Sequence, residues 1–115
     1  MNNCKKTSNS HFYLEQTMAK FITILKYTSK LEEVDLHRNA HMKWVKEQFT
    51  TGYFLASGKL IPPNGGIIIA GNCTLPELNS LLNSDPFVIH SVACYDILEI
   101  EPSMAATGFE GFLEK

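Results

Sequence analysis

Residues 31–58, LEEVDLHRNAHMKWVKEQFTTGYFLASG, are the stretch around which the rest of the chain is organised. At about 100° per residue, residues 31–51 form an amphipathic helix. Its apolar face carries Leu31, Val34, Met42, Val45 and Phe49. His41 points in nearly the same direction as Val34 and Val45. A titratable imidazole costs free energy there unless it has a partner, so the rest of the fold must supply one.

The segments around this helix alternate between strands and helices. We predict strands near 20–28, 53–60, 66–71 and 91–101 and helices near 31–51 and 74–83. Thr74 and Glu77 have the spacing of a capping box, and Gly52 is a helix-ending signal. The order β-α-β-β-α-β predicts an α+β, ferredoxin-like fold, in which two helices cover one face of a four-stranded antiparallel sheet.

The other face of that sheet is too apolar to be left in water. Ile22 and Ile24 point away from the face that carries Phe21 and Leu25, and the run 67–69 adds further isoleucines. An apolar surface of this size on a small domain marks an interaction site. We therefore predict a homodimer whose sheets pack face to face, which is a dimeric α/β barrel.

Length and composition limit the other classes of function. The chain has 115 residues and a net charge of −2, so it is one domain without a basic face for nucleic acid. Its longest apolar run, around 65–71, is too short to span a membrane. Three cysteines form no C-x-x-C pair, and no signal peptide is evident, which together indicate reduced thiols and a cytoplasmic location.

The two ends of the chain differ from its centre. Residues 1–18 are a polar extension, and residues 19–102 form the domain. In the tail, residues 103–115, two glycines lie beside Phe109 and Phe112, which we expect to anchor an arm.

Two residues have both a structural and a chemical interpretation. His41 is either a core histidine bonded to a backbone carbonyl or a pocket residue. Asp85 precedes Pro86, where aspartate commonly initiates a turn, but a carboxylate can also orient an imidazole as a general base. His37 and His41 have the i, i+4 spacing of a metal pair, but no H-E-x-x-H pattern supports it, and we predict no metal.

Taken in order, several short motifs resemble those of the YciI-like, or YCII-related, family. They are Arg38-x-x-His41, Gly52 with Ala56-Ser57-Gly58, Gly65-Gly66 and Asp85-Pro86-Phe87. Lys59 departs from the family, which often has proline after Ser-Gly. The resemblance covers about 19–102 and implies a ferredoxin-like protomer in a dimeric barrel, with His41 and Asp85 paired in a pocket.

The resemblance also implies a function. Family members include lyase-like and isomerase-like enzymes of cyclic or aromatic compounds. We therefore predict a small-molecule enzyme with His41 and Asp85 as a catalytic dyad and no cofactor. Substrate contacts are predicted for Arg38, Ser57, Gly58 and Phe87, although Arg38 also suits a surface ion pair. A non-catalytic, stress-associated ligand-binding domain and a cofactor-independent monooxygenase are the alternatives.

Overall fold

The computed structural model describes residues 19–113, so the predicted extension 1–18 lies outside the described residues. Its elements are β1 (Ala19–Tyr27), α1 (Leu31–Leu36), α2 (Arg38–Thr51), β2 (Phe54–Lys59), β3 (Gly65–Cys73), α3 (Leu75–Leu82), α4 (Pro86–Ile89) and β4 (Ala93–Ile100). A short 3₁₀ helix follows at Glu110–Leu113.

The four strands form one antiparallel sheet in the order β2-β3-β1-β4. β1 lies in its interior, between β3 and β4, as its two apolar faces predict. Two βαβ units of this order interleave to give the ferredoxin-like fold, which confirms the predicted class. The second unit's main helix, α3, begins with the predicted capping box of Thr74 and Glu77.

The core lies between the sheet and the helices. Alternate residues of β1, Phe21, Thr23 and Leu25, are at most 4% exposed. They meet Val34 of α1 and Trp44 and Val45 of α2, which are also buried. Thr23 is tolerated there because its hydroxyl donates a hydrogen bond to the carbonyl oxygen of Ile68 on β3.

The predicted helix 31–51 is interrupted, because His37 leaves the helical conformation and separates α1 from α2. The buried residues of α2 are His41, Trp44, Val45 and Gln48. Val34, His41 and Val45 thus lie on the buried side, as predicted. Leu31, Met42 and Phe49, which the sequence pattern assigns to the same apolar face, are at least 38% exposed, because the buried stripe is centred nearer His41 than Phe49 on the helix surface. The helix ends as expected at Gly52, whose φ of 89° is the left-handed conformation that glycine favours.

The sheet face away from the helices remains apolar. Ile22 pairs with Ile69 and Ile24 with Ile67, and all four side chains are half-buried. The C-terminal tail approaches one end of this face, where Phe112 and Ile69 line a cavity of about 660 Å³. Phe112 is half-buried, as an anchor should be, whereas Phe109 is 70% exposed.

The cysteines differ from the predicted set of reduced thiols. Cys94 is disulfide-bonded, so the prediction is wrong for this residue and the argument it gave for a cytoplasmic location is lost. Cys73 is free and buried, and burial raises the pKa of its thiol to about 11. Among residues 19–113, no helix is long and apolar enough to cross a bilayer.

Candidate active site

His41 and Asp85 form a buried pair between α2 and the start of α4. The Nδ1 atom of His41 lies 2.8 Å from Oδ1 of Asp85. Asp85 is 0% exposed and His41 is 7% exposed. The sequence separates the two residues by 44 positions, so the fold and not a local turn brings them together.

Asp85 also caps α4, so both interpretations of this residue apply. Its Oδ1 accepts a hydrogen bond from the backbone N–H of Phe87 at 2.9 Å, which is the turn-initiating role. Its Oδ2 accepts a hydrogen bond from the hydroxyl of Tyr95 on β4 at 2.7 Å. Three donors thus surround a fully buried carboxylate, which needs such donors to keep its charge.

The imidazole of His41 is held on its face as well as at Nδ1. The ring of Phe87 stacks on it with the centroids 4.0 Å apart and the planes 8° from parallel. Phe87 is itself 0% exposed. The structure thus gives Phe87 a contact with the imidazole, and its predicted contact with a substrate stays a prediction.

The second ring nitrogen of His41, Nε2, makes no hydrogen bond within residues 19–113. Within the described part of the chain, Nδ1 makes the imidazole's hydrogen bond, and no buried side-chain nitrogen or oxygen lacks a partner. Nε2 has no such partner, so it keeps some contact with solvent although the residue is only 7% exposed. Because an ionised carboxylate only accepts hydrogen bonds, Nδ1 carries the proton and the neutral ring leaves Nε2 as a free base.

Residues 84–90 dock along α2 through a row of side-chain contacts. The rings of His37 and His90 stack with their centroids 3.9 Å apart. At the other end, the indole N–H of Trp44 donates to the hydroxyl of Ser84 at 2.9 Å. The dyad lies between these contacts, so its geometry depends on the whole segment. His37, the other histidine of the i, i+4 pair, stacks on His90 and not on the dyad.

Arg38 lies one turn before His41 and is engaged with neighbours of its own. Its Nη2 is 2.8 Å from Oδ1 of Asp35, and its Nη1 donates to the hydroxyl of Tyr27 at 3.3 Å. The hydrogen bonds to Tyr27 and Asp35 raise its pKa, in that order of importance. The guanidinium side chain is 38% exposed, so it remains within reach of a ligand.

Ser57 and Gly58 lie on the edge strand β2, both exposed. Ser57 pairs with Ile68 of β3, and two further steps across the sheet lead to β4. Three strand spacings are about 14 Å, and β4 is the strand whose Tyr95 bonds Asp85. Within residues 19–113, neither Ser57 nor Gly58 makes a side-chain hydrogen bond to the dyad. The structure therefore does not bring these two predicted site residues into contact with His41 and Asp85.

Tyr95 is the residue of this site that sequence reasoning missed. Burial raises its pKa well above the ordinary 10.0, and the charge of Asp85 and the hydrogen bond to it act in the same direction. The hydroxyl therefore stays protonated and donates. The available signal was weak: Tyr95 is a hydroxyl-bearing residue on the core-facing side of a predicted strand.

The pKa of Tyr95 leads to a prediction for alkaline stability. A group whose pKa is raised on folding stabilises the protein below its unfolded pKa and loses that contribution as pH rises through the folded value. The free energy of unfolding of the wild type should thus exceed that of Tyr95→Phe at neutral pH. This difference should shrink above about pH 10, the reference value for tyrosine. Urea unfolding at a series of pH values measures it, and a constant difference would contradict the assignment.

Comparison with known proteins agrees with the fold. The family model for the YCII-related domain matches residues 18–101. The chain therefore belongs to the YCII-related family, as its motifs predict. No curated protein matches the chain.

A solved structure is similar over much of the chain. It is 5-chloro-2-hydroxyhydroquinone dehydrochlorinase (TftG) from Burkholderia phenoliruptrix AC1100, in complex with 2,5-dihydroxybenzoquinone. The TM-score is 0.59 at 14% sequence identity, and the match covers 69% of this chain and 90% of that chain. At this identity the likeness shows the fold alone.

Proposed function

We propose that the protein is a lyase- or isomerase-like enzyme that moves a proton on a small cyclic or aromatic compound. The observation that carries this proposal is the state of the His41 ring. Its Nδ1 is held by a buried carboxylate at 2.8 Å, while Nε2 makes no hydrogen bond to residues 19–113. This arrangement suits a general base, because the carboxylate fixes the tautomer and stabilises the imidazolium that forms.

The proposed step begins when Nε2 of His41 takes a proton from an acidic O–H or C–H of the substrate. The electron pair left behind forms a new double bond. In a lyase reaction a leaving group departs from the ring with its bonding pair. In an isomerase reaction the imidazolium returns the proton at another atom. The carboxylate of Asp85 compensates the positive charge that forms on His41.

The chemical class of the substrate is suggested by the structural neighbour. That protein is a dehydrochlorinase of a chlorinated hydroxyhydroquinone and was solved with a dihydroxybenzoquinone. Hydroxylated rings of this kind have acidic O–H groups that an imidazole can deprotonate. We propose that Arg38 supplies a positive charge to the resulting anion, by exchanging its exposed partner Asp35 for the ligand.

For Ser57 and Gly58 we propose contact with the ligand away from the reacting atoms. Both are exposed on β2, where a small residue lets a ligand approach the backbone. We propose that they contact the far end of a ligand and not the reacting atoms, because three strand spacings of about 14 Å in total separate β2 from β4. For Phe87 we propose a supporting role, because it is buried against the imidazole.

A substrate panel in D₂O tests this function. It contains chlorinated hydroxyaromatics, cyclic enols and lactones, followed by NMR for deuterium incorporation and by chloride release. We expect turnover of at least one class, abolished by His41→Asn. Binding without turnover across the panel would support the ligand-binding alternative. Oxygen consumption would support a monooxygenase, and either result would overturn the proposal.

We also propose that a second copy of the chain covers the open face of the sheet. Ile22 and Ile69 lie at its centre, flanked on β4 by Leu98, which is 52% exposed. A two-fold axis would bring this apolar patch against itself, and such a patch is self-complementary by construction. Burying these side chains in the interface would remove their apolar surface from water, which would stabilise the dimer.

The dimer predicts the effect of one surface substitution. Ile22→Glu places a charge at the centre of the proposed interface, so we expect the dimer to dissociate. Leu36→Glu is the matched control, because Leu36 is 79% exposed on the helix layer. Size-exclusion chromatography with light scattering at micromolar concentration measures the mass. A wild-type mass near the 12.9 kDa of one chain would contradict the proposal.

A further inference from the structure

The hydroxyl of Tyr95 connects the dyad to the sheet. Tyr95 lies on β4 opposite Leu25 of β1, on the face that the helices cover. Its ring packs against both groups of core residues, and its hydroxyl donates to Oδ2 of Asp85 at 2.7 Å. The other two donors to Asp85, His41 and Phe87, both bond Oδ1 and lie on the helix layer.

The division of the donors between Oδ1 and Oδ2 determines how the Asp85 carboxylate is oriented. Oδ1 receives two hydrogen bonds, one from the backbone N–H of Phe87 and one from Nδ1 of His41. The angle at which Oδ1 meets Nδ1 depends on rotation of the carboxylate about its Cβ–Cγ bond. Among the described contacts, Tyr95 is the one that fixes Oδ2, and with it that rotation.

Tyr95 also contributes to holding the negative charge. The salt bridge of Asp85 within residues 19–113 is with His41 itself, which is neutral while it acts as a base. A fully buried carboxylate without a permanent cation relies on its hydrogen-bond donors. Loss of the Tyr95 donor would therefore leave Oδ2 unpaired in a buried site and free the carboxylate to rotate.

Building on the proposed function, we propose that Tyr95 is a positioning residue for the dyad. It does not bond His41. It holds Asp85 so that Oδ1 accepts the Nδ1 proton and Nε2 remains the free base. The contact is specific to the hydroxyl, because phenylalanine would preserve the packing of the ring and lose only the donor.

The test compares Tyr95→Phe with Tyr53→Phe. Tyr53 is half-buried against the same core, and its hydroxyl does not bond Asp85, so its variant makes the same chemical change away from the dyad. Proteins labelled with ¹⁵N-histidine are observed by NMR. We expect Tyr95→Phe to give a mixture of His41 tautomers and about tenfold faster solvent exchange of the Nδ1 proton, the factor that loss of a hydrogen bond to a charge implies.

The outcomes separate this inference from the proposed function. Wild-type His41 signals in both variants would overturn the positioning role even if the substrate panel shows turnover. Altered signals in Tyr95→Phe alone support it even if the panel shows none. If Tyr95→Phe does not fold, the hydroxyl proton of Tyr95 in the wild type provides the test. Slow exchange of this proton supports the bond to Asp85, and rapid exchange overturns it.

Discussion

Replacing His41 with asparagine is expected to reduce turnover by about 10²–10⁴-fold, the usual contribution of a positioned general acid or base. Asparagine can place its amide nitrogen near the position of Nδ1, so the hydrogen bond to Asp85 is kept, while Nε2 and the ring that stacks on Phe87 are lost. The fold should therefore survive. Steady-state kinetics on the substrate that the panel identifies measure the loss, and circular dichroism checks the fold.

Asp85→Asn tests the other residue of the dyad. It keeps the shape and an acceptor oxygen but removes the charge that stabilises the imidazolium, so turnover should fall as well. Tyr53→Phe, remote from the dyad, controls for unspecific damage to the core. Full activity in a folded His41→Asn protein would show that His41 is a core histidine, and Asp85 would then be a helix cap alone.

The largest effect on stability is expected for Phe87→Ala. Phe87 is 0% exposed, stacks on His41 and meets Tyr27 edge-on at 5.9 Å. Truncation of a buried phenylalanine costs about 3–5 kcal/mol. This is a large part of the about 5–15 kcal/mol by which domains are stable. Urea denaturation of the wild type and the variant gives the difference in the free energy of unfolding.

The matched control is Ile89→Ala on the same short helix. Ile89 is 61% exposed, so its truncation should change stability by no more than about 0.5 kcal/mol. If Phe87→Ala cost no more than Ile89→Ala, the ring would not be packed as described. The stacking that orients His41 would then lose its support.

The sequence predicts the sheet well because its physical signals are local. Alternation along β1 places Phe21 and Leu25 on the core face and Ile22 and Ile24 on the other, as the structure shows. The capping box at Thr74 predicts the start of α3 for the same reason. In both cases, neighbours within a few residues decide the conformation.

The interruption at His37 could not be predicted in this way. No glycine or proline marks it, and the ring of His37 stacks on His90, which is 53 positions later in the chain. A contact of this range is set by tertiary packing. The four-residue helix α4 escapes prediction because it is too short to show a helical period.

The pairing of His41 and Asp85 is only partly predictable from the sequence. From the residues alone, a core position explains His41 and a turn role explains Asp85. Only the resemblance to the YCII-related family paired them. The structure adds that Asp85 fills both roles with one carboxylate, and that Tyr95 is its third partner. Tyr95 escaped notice because a tyrosine in a strand is an ordinary packing residue.

The measurement that tests the central claim most directly is the tautomer of His41 in the wild type. ¹⁵N NMR of histidine-labelled protein distinguishes a protonated ring nitrogen from an unprotonated one without any substrate. We predict that, in neutral His41, Nδ1 carries the proton and Nε2 does not. A proton on Nε2 instead would make Nδ1 the acceptor, require a protonated Asp85, and leave no free base facing solvent.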